Sequence, residues 1–525
     1  MERCAAQLNN PPAHACAQHS NRIVFMMNNR SSGILLHPTS LPGPFGAGDL
    51  GSNAYLFVDW LAGAGQSYWQ VLPLGEIGPG NSPYMSTSAF AGNVLLIDLY
   101  ELHHQGWLEE EDIQPLAEFR HDKVDFALQR PFRIERLRLA AKRFFASRDT
   151  ALHAAYTEFC MTESEWLEDY AHFMTIDEQQ DGRHWNLWPE ALANRDEQAI
   201  RFLEAISAEK IDFWKFCQWC FSRQWMQLKH YANERGVKLI GDVPIFVAYH
   251  SADVWAHREL FELDDAGLPT VVAGVPPDYF SETGQLWGNP LYRWDLHEQT
   301  GYIWWIRRLQ HALRSFDQVR IDHFRGFASY WEVPAYETTA MNGRWMPGPG
   351  AKLFEAFENA FLNLPIIAED LGVITQDVVE LRDKFKLPGM RILQFAFAED
   401  HSNYFLPHNY IPNTIAYTGT HDNDTMLGWW NTSAEHEKDF VRRYLGKDEI
   451  DVPWDMMNSL SASVANAVIF PMQDVLCLSG EHRMNFPGSA EGNWEWRFTW
   501  EQVQPWQTIK LAKITAEQGR SRLSQ

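Results

Sequence analysis

The chain has no run of eighteen apolar residues, so nothing in it reads as a transmembrane helix. Basic residues are the minority: 44 Lys and Arg stand against 68 Asp and Glu, a formal charge of −24. That balance repels nucleic acid and anionic membranes, so neither is expected as a partner and a neutral substrate is. Cysteine is sparse, and the six residues (Cys4, Cys16, Cys160, Cys217, Cys220, Cys477) show no paired framework, which fits a reducing compartment. Cys217 and Cys220 make a lone CxxC inside the aromatic run Phe213 to Phe221, which reads as buried helix rather than a zinc or redox site. There is no HExxH and no Asp-rich EF-hand-like loop, so neither a metal nor a cofactor is expected. Residues 1–29 lack an apolar signal-peptide core; an organelle transit peptide stays conceivable, although the stretch holds one Ser and few Arg. Residues 1–30 are therefore expected to be a disordered tail, with the Met26-Met27 pair leaving a later start codon open.

Length and composition are those of an ordinary globular protein, with 45% apolar and 21% charged residues in 525. Aromatics reach 14%, including 23 Trp. Core packing accounts for many of these, and flat rings with a hydrogen-bonding edge also suit sugars. Order begins with a strand at Gly33 to His37 and a helix from Ser52 to Ala64. Between them, Gly46 to Gly51 spells GxGxxG, but about nine residues with three prolines separate it from the strand, so it is no dinucleotide fingerprint. A second strand, Ser67 to Leu72, is followed by an irregular loop ending at Tyr84. From about residue 100 to 236 the chain reads as an inserted helical subdomain. Strands then resume at Val237 to Val243, Gln318 to Asp322, Pro365 to Glu369, Met390 to Phe395, Thr414 to Tyr417 and Asp474 to Leu478. Helical segments between most of them complete an α/β (β/α)8 barrel spanning residues 31–525, with loop insertions at about 248–300 and 328–352 and no appended C-terminal β-sandwich.

In Val319-Arg320-Ile321-Asp322 the polar residues alternate with apolar ones, so a guanidinium lies beside a carboxylate and should hold it ionised. Taken alone, that pattern reads first as a structural ion pair at a strand end and only second as a nucleophile. The other strand ends tip the balance, because Asp242, Asp322, Glu369 and Asp422 all fall on the face where barrel active sites are built. Clustered carboxyls push one another's pKa values apart, leaving one protonated as an acid. Two carboxyls in opposed roles, about 5 to 5.5 Å apart, are what retaining glycosidic cleavage requires.

Four segments, Gly241 to Val247, Val319 to Phe327, Ile367 to Gly372 and Thr420 to Asp424, resemble the marker regions of the α-amylase superfamily. Leu35 to Gly51, Ser82 to Tyr84, Ser88 to Phe90, Ser251 to Trp255, Gly274 to Pro277, Glu282 to Gly288, Arg483 to Asn485 and Gly492 to Trp494 narrow the resemblance to the 4-α-glucanotransferases, also called amylomaltases or disproportionating enzymes. It covers the chain from Gly33 onward. The resemblance implies Asp322 as nucleophile, Glu369 as general acid/base and Asp422 as the carboxylate that supports the transition state. It also implies substrate contacts from Arg320, His421, Tyr84, Asp242, Trp287, Asp370 and His323, with a supporting core role equally open for His323. Of these, Tyr84 would be an aromatic platform and Trp287, with the loop Ala273 to Pro277, a lid over the acceptor side. The implied reaction is retaining transfer of α-1,4-glucan segments, from starch or glycogen-derived chains, to the 4-hydroxyl of glucose or another glucan. The alternatives are a hydrolase of the same superfamily and a non-catalytic glucan-binding protein. The expected address is the cytoplasm; Tyr249-His250 resembles plastid-type members, so a plastid stays open if the source is a photosynthetic eukaryote. Monomer and homodimer both stay open.

Overall fold

The computed structural model describes residues 30–277, 281–398, 400–489 and 491–521. Most of the tail expected at the N-terminus lies outside the described residues, whereas Arg30 is anchored, donating to the Ser461 carbonyl at 2.8 Å. Eight parallel strands close a barrel in sequential order: β1 (Ser31–Leu35), β2 (Tyr68–Gln70), β3 (Lys238–Pro244), β4 (Gln318–Asp322), β5 (Ile366–Ala368), β6 (Gly389–Ile392), β7 (Thr414–Tyr417) and β8 (Ala467–Pro471). The first seven overlap the expected strands. The eighth does not: Ala467-Val468-Ile469-Phe470 is fully buried, so it carries no polar alternation to betray a strand. Asp474, placed by the sequence reading in that last strand, instead accepts from the Met426 N–H at 2.7 Å and the Thr418 hydroxyl at 2.6 Å.

Helices cover the barrel, including Ser52–Gly63, Ile303–Ser315, Ala351–Ala360, Gln376–Lys384 and Trp454–Ala462. Between β2 and β3 lies a helical block that includes Phe126–Ala146, Ser164–Gln179 and the 38-residue Glu197–Glu234. Its buried Arg133 reaches the GxGxxG loop and donates to Asp49 at 2.9 Å. There a Cβ on Gly48 would fall 2.1 Å from the Pro38 carbonyl, so the glycine serves close backbone packing. The two long loop regions after β3 and β4 are joined in a structure the sequence did not announce. Val271–Val275, Gln285–Pro290, Ser329–Pro334 and Arg344–Pro347 form a four-stranded antiparallel sheet. The expected lid loop is thus largely β-ribbon. No helix among the described residues is long and apolar enough to cross a membrane.

Candidate active site

The site is built on the β3–β4–β5 ladder. Parallel register sets Asp242 beside Arg320 and Pro244 beside Asp322, while Arg320 and Ile321 stand beside Ile367 and Ala368. Val319 and Ile321 are buried at 0% and 1% exposure, so alternation turns Arg320 and Asp322 to the other side of the strand. There the Arg320 fork makes three charge-assisted bonds. Nη1 donates to both oxygens of Asp242 at 2.8 and 2.7 Å, and Nη2 donates to Asp322 Oδ1 at 2.7 Å. Asp242 is sealed, with its side chain 1% exposed, whereas that of Asp322 is 30% exposed at the barrel mouth. Burial pushes the Asp242 carboxyl upward, and the Arg320 cation and the Tyr84 hydroxyl pull against it. Tyr84 donates to Asp242 Oδ2 at 2.7 Å and lies face to face with His421, ring centroids 5.1 Å apart.

Glu369 follows β5 and is held by main chain. Its Oε1 accepts from the Leu371 N–H at 2.7 Å and its Oε2 from the His323 N–H at 2.8 Å. The second bond depends on a left-handed turn at His323 (φ 53°), directly after Asp322. Burial raises the Glu369 pKa to about 7; Arg320 and the two N–H donors draw it down, and the Asp322 charge adds to the rise. A carboxyl poised there can give and take a proton near neutrality.

Asp422 sits in the loop after β7, its side chain 46% exposed. It accepts from Asn485 Nδ2 at 2.6 Å and faces His421 Nε2 at 3.2 Å, while Arg483 donates to its backbone carbonyl at 2.8 Å. Desolvation pushes this carboxyl up, but His421 and the Asn485 amide outweigh it and hold it below the usual range. Trp494 completes the wall, 5.8 Å from both the Tyr84 and the His421 ring.

Two sequence-predicted contacts are placed differently. Asp370 is buried among Arg382 (2.5 Å), Arg391 (3.3 Å) and the Met390 N–H (2.7 Å), with Gly389 leaving the room, since a Cβ there would lie 2.5 Å from its Oδ2. Adjacent residues on an extended chain point to opposite sides, so Glu369 and Asp370 do not share a surface. His323 reaches the site through its N–H. Its ring packs edge-on against Trp287 at 4.8 Å, and burial lowers its pKa to about 4, leaving it neutral. Asn485, Arg483 and Trp494 belong to matched motifs yet were given no role by sequence. Their signal was a cluster of polar and aromatic residues after the last strand. His37, just past β1, was likewise missed; burial and the nearby His421 take its pKa to about 3.

A family model described as 4-alpha-glucanotransferase matches residues 36–503. The 4-alpha-glucanotransferase of Thermus thermophilus is 51% identical over 484 residues, covering 91% of this chain and 96% of that protein. The 4-alpha-glucanotransferase of Synechocystis sp. is 47% identical, covering 94% and 99%. Among solved structures, an amylomaltase from Streptococcus agalactiae in complex with acarbose superposes with a TM-score of 0.92 at 38% identity, covering 94% of this chain and 100% of that one.

Proposed function

Because the chain belongs to the 4-alpha-glucanotransferase family, we propose that Asp322, Glu369 and Asp422 carry out that family's transfer by double displacement. The enzyme is a 4-α-glucanotransferase. In the first step an Asp322 oxygen attacks the anomeric carbon of an α-1,4-glucan. The bond from that carbon to the glycosidic oxygen breaks, and Glu369 gives its proton to the departing oxygen. Asp422, with His421, holds the hydroxyls of the reacting sugar, and Tyr84 offers that ring a flat face.

The covalent glycosyl-enzyme changes the electrostatics of the site. Once Asp322 is an ester its negative charge is gone, so its upward push on Glu369 disappears while the pull of Arg320 remains. Glu369 therefore becomes more acidic when it must act as a base, taking the proton from an acceptor 4-hydroxyl as the α-1,4 bond re-forms. Trp287 and the antiparallel sheet wall the acceptor side and favour a sugar hydroxyl over water.

The observation that carries this reading is the pairing on adjacent strands of an Arg-bound, mouth-exposed aspartate with a buried glutamate tuned to about 7. Incubation with maltotriose tests it: glucose and longer oligosaccharides should appear at constant reducing ends. Rising reducing ends would mean hydrolysis, and unchanged substrate would mean binding alone. Asp322→Asn should lower kcat by at least about a thousandfold, and a smaller loss would remove Asp322 as nucleophile. Cys160, Cys217, Cys220 and Cys477 are free thiols, which supports a reducing address such as the cytoplasm.

A further inference from the structure

We propose that Trp345 is an outer acceptor subsite that selects for longer glucan acceptors. The inference rests on Glu369 as acid/base, because that role fixes which side the acceptor occupies. The acid protonates the departing reducing-side segment, so that segment, and later the acceptor, lies against the elements around Glu369. Those elements are the loop beginning at Leu371 and the short helical turn Phe324–Phe327 that follows Asp322 and His323.

Arg325 joins the two. Its guanidinium donates to the Val373 carbonyl in the loop after Glu369, and at 3.2 Å to the Ser329 hydroxyl. The Trp345 ring lies over this guanidinium at 3.9 Å. The ring is held from a second direction by Trp331, its cross-strand partner, at 5.2 Å and 67°. Trp331 is itself fixed by donation from its indole nitrogen to the Ala340 carbonyl at 2.9 Å. Just past Trp345 the chain is stitched to the turn after the nucleophile, with Gly348 N–H to the Ala328 carbonyl at 2.9 Å and Gly350 N–H to the Phe327 carbonyl at 2.8 Å.

For all that fixing, Trp345 is 40% exposed, and neighbouring Val373 is 56% exposed. A large flat ring immobilised in the free protein and open to solvent loses little side-chain entropy when a sugar ring stacks on it. Its tether runs through Arg325 to the loop after Glu369, which puts it beyond the first acceptor sugar, whose hydroxyl must reach Glu369 itself. Glucose gains little from such a platform, and a chain of several glucose units gains most.

The test is the ratio of kcat/KM for maltoheptaose to that for glucose as acceptor, at a fixed donor, in Trp345→Ala, Trp345→Leu and Trp345→Phe. The ratio should fall about fivefold in the Ala and Leu variants, through KM for the long acceptor, and stay near wild type with Phe. An equal loss for both acceptors, or no change in the ratio, overturns the proposal. Should Trp345→Ala fail to fold, the Leu and Phe pair decides alone. Glu369→Gln measured alongside separates the two layers. If it still transfers to every acceptor, the acid/base assignment fails; if it is inactive while the Trp345 ratio is unchanged, only the subsite fails.

Discussion

Replacing Glu369 with Gln should stabilise the protein increasingly as pH rises, by an amount that follows from its environment. A carboxyl whose folded pKa is raised contributes fully below its unfolded pKa, near 4.5, and that contribution is lost as pH climbs through the folded value, about 7. Over this window the unfolded chain gives up the proton and the folded chain keeps it. Holding the carboxyl at about 7 rather than near 4.5 costs about 3 kcal/mol once pH exceeds both values. Gln cannot ionise, so the variant escapes that loss. It does forfeit one of the two bonds from the Leu371 and His323 N–H groups, since one face of the amide is itself a donor, a pH-independent cost of about 1 to 2 kcal/mol. The slope of the difference is therefore the test, not its offset. At about 2.1 cal/mol/K per residue, 525 residues unfold with an entropy of about 1.1 kcal/mol/K, so the variant's Tm relative to wild type should rise by about 3 °C from pH 4.5 to 7 and level off above. Calorimetry of both proteins across pH 4 to 8.5 measures it. A pH-independent difference, or one that turns against Gln with rising pH, would refute the raised pKa and the proton-donor role that depends on it.

The same carboxyl predicts that wild-type kcat/KM falls on the alkaline side with a midpoint near 7, read from a pH-rate profile. Tyr84→Phe keeps the ring against His421 but loses the bond to Asp242 and should cost about tenfold in kcat/KM; Tyr84→Ala should cost about tenfold more. In Asn485→Ala one of the influences holding Asp422 ionised is gone, so its pKa rises. A depressed carboxylate works above its pKa and fails as pH falls through it, so the acid limb of activity should move to higher pH, seen as a larger loss near pH 4 than near pH 6.

The barrel was readable where strands alternate or sit between turn signals, as at Arg320-Ile321-Asp322, and the three candidate carboxylates stood out because Asp322 ends such a strand while Glu369 and Asp422 lie just past theirs. Ala467 to Phe470 escaped because burial on both faces erases the period on which the reading depends. The small antiparallel sheet escaped for another reason: its strands come from two loops after different barrel strands, and pairing across that separation leaves no local mark. Asp370, expected to contact substrate, instead lies buried among Arg382 and Arg391, because period-two geometry sends it and Glu369 apart. Arg320 proved to hold two carboxylates, not one, because its second partner is set by β3–β4 register.

That His323 points its N–H at Glu369 has a consequence for redesign. Asp322 and Glu369 are tied by main chain: Glu369 N–H to the Ile321 carbonyl at 3.1 Å, Phe324 N–H to the Glu369 carbonyl at 3.2 Å, and His323 N–H to the carboxyl itself. Their separation is a dimension of the barrel, as indifferent to nearby side-chain substitutions as the pitch of a thread is to the paint on it. Directed changes that convert transfer into hydrolysis, or short products into long ones, should therefore collect in the walls of the cleft and leave the spacing of the two carboxyls untouched.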